Sequence, residues 1–397
     1  MTVPMKNILK KLWKQLPGMG LFLRLLCLLR LSARRQEKQI SPAAPVYVFG
    51  CFQAGGGLSR SAELYARELE KTHPGCIRVD TARETGQSLK NPITDGSIRS
   101  LADIVHDDGA GTVILHHNPP QLHWILCLLG RRFLRHKRIV AYMVWELEDL
   151  PPLWKHALRY VDAVETPSSF SRAAIARHTS RSVTVRPHPV PEPPDAQKRQ
   201  KFCTDGKLRC LFIFDLGSLA SRKYPEAAIA AFVRAFGPEE GLLTLKVGQP
   251  GAYPADFQRL EQITAQHPHI RLLADWLDDA ALHRLYLEHD VYLSLHRSEG
   301  YGLTIHEAML RGLYVVATGW SGNMDFMQGE QAYAVPCQLI PVERKYARFN
   351  SVPGARWAEP DIGAAAEILR ALRERLIREN TAPGAGQKEE PPRLVNG

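Results

Sequence analysis

The sequence predicts an α/β protein of two similar halves, each built on a parallel sheet. Short apolar runs alternate with helix-length amphipathic stretches on both sides of the midpoint. Five prolines crowd positions 187–194 between the two series, where neither a helix nor a central strand fits. The chain has 397 residues, 45% hydrophobic and 23% charged, which suits two globular domains and excludes a disordered or low-complexity class.

The first segment, residues 1–44, stands apart by charge. Residues 1–35 hold eight Lys or Arg and no acid, so nearly all of the formal net charge of +10 lies there. Helical spacing puts Met5, Ile8, Leu9, Leu12, Trp13 and Leu16 on one side and Lys6, Lys10, Lys11 and Lys14 on the other. That is the pattern of a basic amphipathic helix lying in a membrane surface. Pro17-Gly18 breaks it, and a second apolar stretch, Leu21 to Leu31, is interrupted by Arg24 and Arg30. It is too short and too charged to span a bilayer, and no run of eighteen uncharged apolar residues occurs elsewhere. A transit peptide, a secretory signal or a helix packed on the body are the competing readings. Charges inside the apolar part and the lack of a small-x-small cleavage pattern count against the signal. A second basic cluster, Arg131 to Arg138, holds five formal positive charges in eight residues. It reads as part of the same membrane face or as a solvated helix end. The expectation is a cytoplasmic protein attached peripherally to the inner face of the plasma membrane, with an anionic membrane surface as partner. The rest of the chain is nearly neutral, which weighs against nucleic acid. Seven scattered cysteines without a Cys-x-x-Cys pair exclude a disulfide scaffold and a Cys-rich zinc site, and fit a reducing compartment.

The first half, residues 45–190, opens with a buried strand over 45–50, a turn at Gly55-Gly56-Gly57 and a helix from Leu58 to Lys71. Further strands are expected at 113–116, 139–144, 161–166 and 182–185, with helices between. Residues 191–207 read as a linker. The second half, residues 208–379, repeats the alternation with strands at 208–214, 242–247, 270–273, 291–295, 314–317 and 332–335. Pro225 opens one helix, and an Ala/Leu/Arg-rich helix closes the half at 361–379. Residues 380–397, rich in Pro, Gly and charge, read as a disordered tail.

Chemistry concentrates in Leu295-His296-Arg297-Ser298-Glu299-Gly300-Tyr301-Gly302-Leu303-Thr304-Ile305-His306-Glu307, between a strand and a helix. Glycines at the turn free backbone amides at a helix N-terminus, a site for anions or sugar hydroxyls. Glu299 can accept hydrogen bonds from ligand hydroxyls, and Glu307 reaches a neighbouring part of the same ligand. An N-terminal cap and an ordinary helical acid are the bland alternatives. His116 and His117 end a first-half strand where a cleft belongs, and a structural role for either is the competing reading. Glu146 follows another strand, although Glu148 and Asp149 beside it suggest a solvated acidic turn. Trp13, Trp145 and Trp276 read as packing or interface residues.

Glu299 and Glu307, with seven residues between them in this setting, resemble the Glu-x7-Glu motif of the retaining GT-B glycosyltransferases of family 4, the group 1 glycosyl transferases of bacterial polysaccharide type. Val315 to Met327, Trp357 to Asp361 and Ser221-Arg222-Lys223-Tyr224-Pro225 extend the resemblance, and Trp145-Glu146-Leu147 and Pro167 to Phe170 are similar more weakly. The resemblance implies a GT-B architecture, two Rossmann-like domains with parallel sheets facing across a cleft. It implies a hexosyltransferase moving a sugar, mannose as the first guess, from a nucleotide-diphosphate sugar to a lipid-linked or polysaccharide glycan acceptor, as in lipopolysaccharide or exopolysaccharide synthesis. Rhamnose, galactose and glucose are alternatives, as is a GT-B protein that binds a nucleotide sugar without catalysis. Glu299, Lys223 and His117 take the catalytic roles. Glu307, Gly300, Tyr301, Gly302, Leu303, Arg222, Gly56 and Gly57 bind the donor. Neither a metal nor another cofactor is expected, and no Asp-x-Asp pair is present to hold one. One departure stands out. The family's Arg a few residues before the Lys is absent, leaving Arg222 as a substitute or as a surface residue.

Overall fold

The computed structural model describes residues 19–31, 33, 38–41, 44–87, 89, 96–343, 346, 349 and 352–381. The amphipathic helix expected over residues 5–16 and the tail from residue 382 lie outside the described residues. Helix α1 (Met19–Arg30) precedes the first sheet. Strands β1 (Val46–Gly50), β2 (Ile77–Asp80), β3 (Ile98–Ser100), β4 (Gly111–Leu115), β5 (Lys137–Tyr142), β6 (Ala163–Thr166) and β7 (Val183–Val185) are crossed by α2 (Gly57–Thr72), α3 (Gln121–Leu134), α4 (Pro152–Ala157) and α5 (Ser169–Ala176). The second series is β8 (Leu208–Asp215), α6 (Pro225–Ala235), β9 (Gly241–Gly248), α7 (Pro254–Thr264), β10 (Ile270–Leu273), α8 (Asp279–Leu287), β11 (Val291–Ser294), α9 (Leu303–Leu310), β12 (Tyr314–Thr318) and β13 (Ala332–Val335). A hairpin, β14 (Cys337–Pro341) and β15 (Arg356–Pro360), and helix α10 (Ile362–Thr381) follow.

The first sheet runs β3-β2-β1-β4-β5-β6-β7 and the second β10-β9-β8-β11-β12-β13. Every pairing in both is parallel. Helices cover both faces, so central strands such as Val48-Phe49 and Leu211-Phe212 are buried throughout, as doubly covered parallel strands require. In each sheet the strand order reverses once, between β1 and β4 and between β8 and β11. Ligands of open α/β sheets bind outside the carboxyl ends of strands at such a reversal. The Gly55–Gly57 turn follows β1, His116 and His117 follow β4, Arg222 and Lys223 follow β8, and the Glu299 loop follows β11. Both reversals therefore carry the segments that the sequence singled out.

Pro225 sits at the first turn of α6, after Tyr224 in the left-handed region at φ 52°. Asp361 caps the start of α10, accepting from the amide of Ala364 at 3.0 Å. Helix α10 then buries Ala365, Ala366, Leu369, Leu372 and Leu376 on the second half. The β14–β15 hairpin, with the chain between its strands, crosses to the first half. There Phe349 and Trp357 join Trp145 and Trp154 in one core.

The basic cluster is split. Lys137 begins β5 and is fully buried, its ammonium donating to the carbonyls of Asp107 at 3.0 Å and Gly109 at 2.9 Å and lying over the Phe133 ring. It belongs to no membrane face, because its charge is buried and paired with the Asp107 carboxylate at 3.2 Å. Arg131, Arg132 and Arg135 remain exposed.

Candidate active site

The loop 295–302 is gripped from both halves. The Glu299 amide donates to the Ser321 hydroxyl at 2.8 Å, and the Glu299 carbonyl accepts from Gly322 at 2.9 Å. From the first half, the hydroxyls of Ser168 and Ser171 donate to the Gly300 carbonyl at 2.6 and 3.3 Å, and Ser298 donates to the Glu146 carbonyl. Gly300 is required by proximity, since a Cβ there would lie 2.5 Å from a Val144 methyl. Gly302 caps α9 at φ 93°, a backbone state that glycine reaches without strain. No side chain caps α9, which leaves the first amides of the helix for a ligand. Leu303 opens α9, half-buried.

Glu299 forms the centre of the charge cluster. It is buried, accepts from Lys223 and lies 3.3 Å from the Arg222 guanidinium. Burial alone would raise its carboxyl, but Lys223 and Arg222 outweigh that and hold it at about 2. Burial likewise depresses the Lys223 ammonium, against the pull of Glu299. Arg222 is no surface residue. Its guanidinium donates to the carbonyls of Ser218 at 3.1 Å and Ser298 at 2.6 Å and sits 3.8 Å from Glu146. It locks the loop, while Lys223 stands beside it as the second cation. Glu146 is buried next to this cluster and not in a solvated turn. Asp149 bonds His178 and Lys155 instead.

Glu307 lies on α9, buried, accepting from the Tyr286 hydroxyl at 3.1 Å. Burial raises its carboxyl above the usual range, partly countered by Arg311 and Arg60. Arg60 comes from the first half, one turn into α2, and spans to Glu307 at 3.9 Å and Asp279 at 3.4 Å. Gly56 (φ 107°) and Gly57 start that helix, and a Cβ at either would meet nothing within 4 Å. The backbone there is open to a close-approaching ligand.

Tyr301 serves as a wedge. Its ring is buried edge-on to His188 and its hydroxyl meets His306 at 2.8 Å. His117 bonds the Thr81 hydroxyl at 2.7 Å, and burial takes its imidazole down to about 4. Its polar contact is inside the first half and not with Glu299 or Lys223. His116 stacks on Tyr142 with centroids 4.2 Å apart. Trp276 is 65% exposed after β10, which rules out the packing role expected for it. Among the described residues no three His, Cys, Asp or Glu side chains converge as a metal site.

Arg60, Ser168, Ser171 and Tyr286 were not singled out as site residues from sequence. Arg60 had a signal, its place in the first turn after Gly55–Gly57. Ser168 had a weak one, its place in the Pro167–Phe170 stretch, while Ser171 and Tyr286 reach the site only through tertiary packing.

The pattern of a helix N-terminus, two adjacent cations and two buried carboxylates at the sheet reversal bears on the comparisons with known proteins. Residues 214–341 match the family model described as Glycosyl transferases group 1. That group 1 segment, about a third of the chain, contains Arg222, Lys223, Glu299 and Glu307. The architecture is GT-B. HepE of Anabaena, solved with UDP and glucose, superposes with a TM-score of 0.53 at 13% identity, covering 85% of this chain and 97% of that one. A glycosyltransferase of Rickettsia africae gives 0.51 at 13% identity, with the same coverage. The lipopolysaccharide outer core galactosyltransferase WaaB gives 0.50 at 14%, covering 72% of this chain and 84% of that one. The chain spans about half, 51%, of the pneumococcal O-GlcNAc transferase GtfA, at 18% identity and a TM-score of 0.44. No curated protein matches.

Proposed function

We propose that this protein is a retaining glycosyltransferase that moves a hexose from a nucleotide-diphosphate sugar to a glycan acceptor, lipid-linked or polysaccharide, at the inner face of the plasma membrane. The observation that carries the proposal is the Lys223–Glu299–Arg222 cluster at the sheet reversal, one turn from an uncapped helix N-terminus and inside the group 1 segment. A departing diphosphate gathers negative charge in the transition state. A fixed ammonium and helix amides stabilise that charge without reorganising, a device worth several kcal/mol. Glu299 holds donor-sugar hydroxyls and Glu307 the ribose hydroxyls. Gly56 and Gly57 let the backbone of the first half approach the diphosphate. The charge is met by these groups without a metal ion, so chelator leaves the rate unchanged.

The test is donor consumption across a panel of GDP-mannose, UDP-glucose, UDP-galactose and dTDP-rhamnose, with Lys223→Ala as the paired variant. One donor is hydrolysed slowly without acceptor, and Lys223→Ala loses at least tenfold in rate and flattens the salt dependence of nucleotide affinity. A variant that binds the nucleoside diphosphate as tightly as wild type removes Lys223 from the mechanism. UDP in the HepE structure makes the UDP-sugars the first donors to compare with GDP-mannose.

A further inference from the structure

Helix α1 is docked by one face and bare on the other. Leu23, Cys27 and Leu31 are buried, with the Cys27 sulfur 3.4 Å from that of Cys127 on α3. The opposite face carries Leu21, Phe22, Leu25, Leu28 and Leu29, exposed by 62, 48, 51, 54 and 76%. Their spacing, i, i+1, i+4, i+7 and i+8, forms a single stripe along the helix. These five make up most of the large hydrophobic side chains left exposed among the described residues. A stripe of this kind on a water-facing surface marks a partner.

Charge identifies the partner. Arg131 donates to the carbonyls of Leu29 and Leu31 at 3.1 and 3.3 Å, which places its guanidinium at the end of the stripe. Arg30 and Arg135 are also exposed, as is Arg132, which pairs with Asp108 at 3.2 Å. The segment through residue 35 contains no acid. Apolar side chains bordered by cations match the acyl boundary and the anionic headgroups of a bilayer. Size argues against a second copy. Twelve residues give a face about 18 Å long and about 10 Å wide. That is far short of the roughly 800 Å² per partner of a stable protein interface. No described helix is long and apolar enough to cross a membrane, so the stripe lies along the surface.

We propose that the outward stripe of α1 is the surface on which this protein docks to an anionic bilayer. The inference rests on the membrane reading given above and goes beyond it. Contact is assigned to a helix fixed on the body by Leu23, Cys27 and Leu31, so the body has one set orientation at the membrane.

The test is flotation of the full chain with phosphatidylcholine vesicles, with and without phosphatidylglycerol, at low and high salt. The paired variant is Leu25→Glu/Leu29→Glu. Both positions are exposed, so melting temperature and nucleotide binding are expected to match wild type. Wild type floats with the anionic vesicles, and the variant loses roughly tenfold or more in vesicle affinity. If wild type fails to float, both the membrane reading and this surface are overturned. If the variant floats as wild type does, the membrane reading survives and the stripe is refuted, with residues 1–18 as the membrane contact. If the variant instead converts a dimer to a monomer in sedimentation, the partner is a second copy and the bilayer assignment falls.

Discussion

Replacing Glu299 by Gln should destabilise the fold before it reveals anything about catalysis. Glu299 is 8% exposed and is the shared anion of Arg222, itself buried, and Lys223, half-buried. Two independent routes give the magnitude. The carboxyl is held at about 2 in the fold against an ordinary 4.5, a depression worth about 3 kcal/mol at neutral pH. Removing one partner of a buried ion pair costs about 3–5 kcal/mol, because the remaining charge is stranded. For halves of this size that corresponds to a fall in melting temperature of roughly 6–20 °C. The sign with pH follows from the depressed value. The contribution is fully present above 4.5 and is lost as pH falls from 4.5 towards 2, so wild type and variant converge in that window.

The assay is thermal unfolding of both proteins from pH 7 to pH 3, with and without a saturating nucleoside diphosphate. A hundredfold excess of ligand over its Kd adds about 2.7 kcal/mol to wild type. The variant should gain at least as much, since the diphosphate restores an anion to the stranded cations. A Gln variant that melts within about 2 °C of wild type at pH 7 would refute the cluster as a buried, charge-compensated unit.

Glu307→Gln should behave oppositely. Burial raises its carboxyl, so the charged form costs stability at neutral pH, and that cost disappears as pH falls through the raised value. The variant should melt no lower than wild type yet bind nucleotide roughly tenfold more weakly by calorimetry. A large drop in melting temperature would contradict this. Trp276→Ala should leave stability unchanged, given its exposure. If the Trp276 ring stacks on the donor base, the substitution weakens nucleotide binding by roughly 1–3 kcal/mol and abolishes the quenching of tryptophan fluorescence on nucleotide addition. Wild-type fluorescence that ignores UDP and GDP would place the base elsewhere.

The second half was legible in sequence because its strands are long or largely apolar and both of its site carboxylates fall in one short stretch, residues 299–307. The first half was legible in part. Strand β2 has four residues, Ile-Arg-Val-Asp, and β3 three, Ile-Arg-Ser, too few for alternation to show. The β14–β15 hairpin escaped because fourteen residues separate its strands, and its apolar residues answer to Trp145 of the other half. Arg222 was ambiguous beside Lys223. Leu219 in front of them (φ 70°) and Tyr224 behind (φ 52°) both take backbone states that non-glycine residues rarely adopt, and these set the directions in which the two side chains point. Lys137 read as one more surface cation, because its acceptors, the carbonyls of Asp107 and Gly109, lie 30 and 28 residues away.

The two halves are joined unequally, and the inequality follows the site. On one edge the Gly300 carbonyl takes two serines, Asp325 takes the Ser169 amide at 2.6 Å, and Phe349 and Trp357 enter the core of the first half. The Gly300 bonds and the Phe349 and Trp357 packing are buried, and the Ser169–Asp325 contact lies exposed beside them, so separating this edge exposes unsatisfied polar groups and apolar surface together. On the other edge Arg60 reaches Asp279 and Glu307 from a side chain 31% exposed, and Asp279 is 81% exposed. A pair so open to water is worth about 0–1 kcal/mol. The Gly56–Arg60 side is therefore held more weakly than the Ser168–Gly300 side. Glu299, on the welded edge, carries stability, while Glu307, on the loose edge, carries a burial cost that a ligand or Arg60 can relieve. The sequence motif gives these two carboxylates different contacts with a ligand, and their surroundings also give them opposite effects on stability.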